Sequence, residues 1–201
     1  MKCSRLLMFP ILFSTPVAFA HSGQMEHNSI TNGMLHPLTG LDHLIMLLGL
    51  GILISRITHS LVNHDPVRNN NSSLKIKLML FISALASLAM GLMTGRALGD
   101  ITGLEQVITA SIFVVALGIW NTFYQGEPFT KRLLVLSIGL LFFHGFAHGI
   151  EMTGSLSGFG IGMLSTAAAT MFVGERVSNL FASKWFGVGI AAFGIAFMTM
   201  P

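Results

Sequence analysis

Apolar residues run through this chain in long unbroken blocks, without the alternation of a half-buried strand or the one-sided stripe of a surface helix. Blocks at 35–55, 76–96, 104–124, 132–152, 158–179 and 184–200 each approach or reach the ~20 residues that a helix needs to cross the ~30 Å hydrocarbon core of a bilayer. The pattern predicts an all-α, polytopic membrane bundle of six transmembrane helices. The longest polar interruption contains Asn63-His64-Asp65-Pro66 and Asn69-Asn70-Asn71-Ser72-Ser73. Its Pro and Asn content reads as a mobile linker, with His59 and His64 in it as solvated side chains or as ligands that could pass a metal to a cytoplasmic metallochaperone.

The N-terminal segment differs from these blocks. Lys2 and Arg5 precede an apolar stretch from Leu6 to Phe13, and Ala18-Phe19-Ala20 supplies a small-x-small cleavage signal. Residues 1–20 are therefore expected to be a secretory signal peptide, and residues 21–201 one six-helix transmembrane domain. The only cysteine, Cys3, falls in the segment to be removed, so the mature chain would hold neither disulfides nor thiolate metal sites. A mature N-terminus at His21 would offer its α-amine and imidazole as a chelating pair beside Glu26 and His27, or end simply as a polar tail.

Composition agrees with a bilayer setting. Of the 201 residues 52% are hydrophobic and 9% charged, against the roughly 25% charge of a soluble domain. The net charge of +3 acquires meaning from its placement. Arg56, Arg68, Lys75, Lys77, Lys131, Arg132, Arg176 and Lys184 fall in or beside odd-numbered connections, and only Arg96 beside an even-numbered one. That bias places both mature termini on the outer side of the inner membrane, and it points to lipid and not to nucleic acid as the partner.

Small residues recur at every fourth position in the second span, at Ser83, Ser87, Gly91, Gly95 and Gly99, and predict close helix packing. Gly158, Gly160 and Gly162 slim the fifth span in the same way. The 13 methionines are scattered, and read as apolar filler.

Against this background two polar motifs stand out: His36-Pro37-Leu38-Thr39-Gly40-Leu41-Asp42-His43 and His144-Gly145-Phe146-Ala147-His148-Gly149-Ile150-Glu151. A charged or titratable side chain at mid-membrane costs roughly 2.5–3.5 kcal/mol on insertion scales, and metal coordination would offset it. Pro37 suits the first position of a helix, which would cap it with His36 and put His43 two turns, roughly 10 Å, deeper. Asp42 could ligate from the side or fix an imidazole tautomer. His144, His148 and Glu151 share one stripe of an antiparallel helix, so Glu151 should lie level with His36, and His144 with His43. Gly145, Gly149 and Gly40 would let neighbouring backbones approach. Imidazole and carboxylate without thiolate suit nickel, cobalt, zinc or iron.

The His-Pro-x-x-Gly-x-Asp-His and Phe-His-Gly-x-Ala-His-Gly-x-Glu segments, together with the signal peptide, the length and the six spans, resemble the HupE/UreJ proteins. The resemblance covers essentially the whole chain. It implies a bacterial permease that brings Ni²⁺, or Co²⁺, into the cell to supply a nickel enzyme such as hydrogenase or urease. It also implies His36, Asp42, His43, His144, His148 and Glu151 as the metal-binding residues, with no resident cofactor. Thr170 stands where the family often carries a fifth-span histidine. The alternatives to a transporter are an intramembrane zinc-dependent hydrolase using the same cluster and a haem protein with His43 and His144 as opposed ligands.

Overall fold

The computed structural model describes residues 29–63, 70–124, 127–178, 188–192 and 194–195. Among them there is no strand. The helices are α1 (Ser29–Thr39), α2 (Leu41–Asn63), α3 (Asn70–Leu98), α4 (Leu104–Asn121), α5 (Glu127–Glu151) and α6 (Leu156–Val177). Five of these, α2 to α6, are long and apolar enough to cross a membrane, and the chain is a multi-pass membrane protein. Residues 188–192 are also helical, while most of the sixth predicted span at 184–200 lies outside the described residues. So do the predicted signal peptide and His21, Glu26, His27 and His64.

The helices pack through backbone contacts that only glycine permits. On α3, Gly91 and Gly95 rest against the carbonyls of Phe142 and Phe146; on α5, Gly145 and Gly149 rest against those of Leu88 and Leu92. A Cβ at any of the four would strike a main-chain oxygen. The same device joins α6 to the first two helices: Gly33 meets the Phe159 carbonyl, Gly162 that of Ile30, Gly51 that of Met171 and Gly174 that of Leu48. With no hydrophobic drive between helices in lipid, close van der Waals contact of this kind holds the bundle. The outward face of α3 exposes Leu78, Met79, Ile82, Met90 and Met93, as expected for a helix that is apolar all round and meets acyl chains.

Three sequence expectations change. The predicted first span is two helices. Pro37 lies inside α1, in its last turn, and not at the head of a long helix; lacking an N–H, it disrupts the ladder, and the Thr39 hydroxyl turns back to donate to the His36 carbonyl at 2.9 Å. The chain breaks at Gly40, whose carbonyl accepts from Leu44 N at 3.0 Å and so starts α2. Second, the polar linker is shorter than expected, because α2 continues past His59 to Asn63 and α3 begins at Asn70. Third, the small-residue stripe has two ends that do not pack: Ser83 is exposed, and Gly99 leaves the helix at φ 74°, a left-handed cap that favours glycine.

Charge sorts by the ends of the bundle. At the end away from Glu151, Arg56 donates to Thr122 Oγ1 at 2.6 Å and lies over the Phe123 ring. There Lys77 of α3 pairs with Glu175 of α6 at 2.5 Å, and Glu175 also holds Arg176 at 3.3 Å.

Candidate metal centre

The break at Gly40 shapes the site. Asp42 and His43 occupy the first turn of α2, where an acidic side chain is favoured by the helix dipole. Both side chains fold back over Gly40: a Cβ there would lie 2.5 Å from His43 Nδ1 and 2.9 Å from Asp42 Oδ1. Gly40 thus makes room for its own neighbours and not, as the sequence suggested, for another helix. His43 Nδ1 and Asp42 Oδ1 are 2.8 Å apart. A carboxylate only accepts, so Nδ1 carries the hydrogen and Nε2 presents a lone pair. Of the two roles open to Asp42 in the sequence, this hydrogen bond matches the one that fixes an imidazole.

On α5 the spacing of four and three places His144, His148 and Glu151 along one stripe. The first two are 1% and 2% exposed, while Glu151 stands at the rim. Across the break from α2, α1 brings His36 to Glu151, Nε2 to Oε2 at 3.2 Å. His148 lies between the two histidines of the first motif, its ring centroid 4.5 Å from that of His36 and 4.3 Å from that of His43. His144 follows, 5.2 Å from His43. The six residues form two adjoining groups, His36/His148/Glu151 and Asp42/His43/His144, and in each the ligand atoms lie within 4.8 Å of one another.

Between the groups is a cavity of about 10 Å³, lined by His43, His144 and His148 among apolar side chains, space for one water-sized occupant. Among the described residues, three buried imidazole nitrogens have no hydrogen-bond partner: His43 Nε2, His144 Nδ1 and His148 Nδ1. Leaving a buried polar atom unsatisfied costs about 1–3 kcal/mol. Three rings that line one cavity and each carry such an atom fit a divalent cation that accepts nitrogen lone pairs, with the two carboxylates close by to balance its charge.

The site also includes residues that sequence reasoning did not select. Met163 of α6 forms part of the cavity wall, and Phe159 packs edge-on against His36 at 5.7 Å. Ser111 of α4 is fully buried with Oγ 2.7 Å from His144 Nε2. No local signal marks a serine in an apolar span as a partner of a histidine 33 positions away. Thr170 is buried on α6, seven residues and about 10 Å beyond Met163, and belongs to neither group. His59, exposed on α2, lies about 24 Å along the helix from His43.

A family model described as HupE / UreJ protein matches residues 9–197. No curated protein and no solved structure matches the chain.

Proposed function

We propose that this chain, which belongs to the HupE/UreJ family, is a secondary transporter that carries a divalent transition-metal cation, Ni²⁺ or Co²⁺, across the bacterial inner membrane into the cytoplasm. The family is consistent with a nickel or cobalt transport role, and is associated with metal transport or accessory function rather than with catalysis. The observation that carries the reading is that His43, His144 and His148 line one small cavity and that each has a buried ring nitrogen without a hydrogen-bond partner. A hydrated cation would meet His36 and Glu151 at the rim, exchange water for imidazole, and pass inward to His43 and His144.

No Gly-x-x-x-x-Gly-Lys-Ser/Thr phosphate-binding motif occurs in the sequence, and none is needed. A potential of 100 mV, negative inside, favours inward movement of a divalent cation by about 4.6 kcal/mol, at about 2.3 per charge. Transport further requires that binding strip water yet release the ion, which a mixed set of neutral imidazoles and carboxylates suits better than thiolates. The Lys- and Arg-rich end of the bundle would face the cytoplasm, where a metallochaperone could take the cargo. A hydrolase built on the same cluster needs a carboxylate free to activate water. Here Asp42 is engaged by His43 and Glu151 by His36, which favours the transporter.

Uptake of radioactive nickel in a bacterial strain lacking its own importers, with Co²⁺ and Zn²⁺ as competitors, tests the proposal. The chain should confer accumulation that His43→Ala and His148→Ala abolish while both variants still insert. Accumulation unchanged in both variants would overturn it.

A further inference from the structure

Ser111 sits mid-way along α4, fully buried, and its hydroxyl has a single proton. The carbonyl of Ile108, one turn back, takes that proton at 2.5 Å, a common habit of serine in membrane helices. The same Oγ lies 2.7 Å from His144 Nε2. With its proton committed to a group that only accepts, Oγ can meet Nε2 only as an acceptor, so the imidazole N–H is at Nε2. A neutral imidazole carries one such hydrogen. Nδ1 is then a bare lone pair, and Nδ1 is the atom of His144 that is buried without a partner.

The arrangement at His43 is its complement. There Asp42 takes the hydrogen of Nδ1 and leaves Nε2 free. Asp42 and Ser111 would thus hold two histidines on two helices in opposite tautomers, and the nitrogen left free on each belongs to a ring that lines the same cavity. Were the hydroxyl to donate to Nε2 instead, His144 would hold a buried N–H at Nδ1 with no acceptor. That hydrogen would stand where a cation needs a lone pair.

We propose that Ser111 is a positioning residue of the metal site: it holds His144 in the Nε2–H tautomer, so that Nδ1 is the atom offered to the ion. The inference rests on the reading of the histidine groups as a cation site. It adds α4 to the helices that build that site, through a side chain that never touches the ion. A serine that merely fastened α4 to α5 would leave the tautomer of His144 indifferent to its loss.

The test is the tautomer itself, measured without metal. In protein labelled with ¹⁵N-histidine and reconstituted in bilayers, with resonances assigned by their loss in His144→Gln, His144 should show a protonated Nε2 and an unprotonated Nδ1. Ser111→Ala should give a mixture of tautomers, and Ser111→Thr, which keeps the hydroxyl, should restore the wild-type pattern. With Co²⁺ as probe, affinity should fall about 10- to 100-fold in Ser111→Ala, the usual effect of losing an outer partner, and return towards wild type in Ser111→Thr. A wild-type His144 protonated at Nδ1 would overturn the proposal even if no variant folds. Tautomer populations or Co²⁺ affinity unchanged by Ser111→Ala would overturn it too. Wild-type protein that shows the Nε2–H tautomer but binds no Co²⁺ would overturn the cation-site reading and the positioning role with it; the metal-free measurement tells the two failures apart.

Discussion

The ring of His148 lies 4.3 Å from that of His43, tilted by 36°, although the two residues belong to different helices and different motifs. His148 also faces His36, so it joins the rim to the interior. Loss of this one side chain should therefore damage both ligand groups. His148→Ala is expected to abolish Ni²⁺ binding, while His36→Ala retains the interior nitrogens of His43 and His144 and binds more weakly. Equilibrium dialysis of the purified variants against Ni²⁺ would check this, and a His36→Ala defect as complete as that of His148→Ala would contradict it.

Metal should stabilise the folded bundle by mass action. At Ni²⁺ one hundred times its dissociation constant the gain is about 2.7 kcal/mol, visible as a higher melting temperature in Ni²⁺ than in chelator. In His148→Ala the difference should vanish.

Gly40 can be tested apart from the ligands. Gly40→Ala places a methyl group against His43 Nδ1 and Asp42 Oδ1, which must separate or swing away. The expected result is a loss of about 10-fold or more in metal affinity, as for other disruptions of a ligand's outer partner, with little change in melting temperature without metal. A fall in stability with intact affinity would show that the glycine serves the helix break alone.

The glycines of α3 and α5 predict the opposite pattern. Gly145→Val drives side-chain carbon into the Leu88 carbonyl, and overpacking costs about 1–3 kcal/mol or more. The variant should unfold at lower temperature with or without metal, as scanning fluorimetry in detergent would show.

Much of the arrangement was legible in the sequence because its signals are local. Apolar blocks mark the spans, and the spacing of His144, His148 and Glu151 fixes their common stripe. Counting depth along antiparallel helices put His36 beside Glu151 and His43 beside His144, and the structure brings those pairs together. The break at Gly40 was missed because Pro37 is compatible with the start of one helix or the end of another, and only the packing of α1 on α6 through Gly33 and Gly162 decides between them. Ser111 and Met163 were missed for a different reason. Neither carries a pattern of its own, and each matters only for what lies across the bundle from it.

Lys77 and Glu175 tie α3 to α6 at the cation-rich end, with side chains 29% and 15% exposed. Lys77→Met and Glu175→Gln should each destabilise the protein, and the double variant by less than their sum, with a coupling of about 0.5–3 kcal/mol. Full additivity in a double-mutant cycle would remove the pair from the account of stability.

The glycine-to-carbonyl contacts fall into two sets. One locks α3 with α5; the other locks α6 with α1 and α2. His144, His148 and Glu151 ride on the first set, and His36, Asp42 and His43 on the second. The two candidate ligand groups are thus drawn from both lips of a clasp, and parting the lips would pull them apart while leaving each set of interlocked backbones intact.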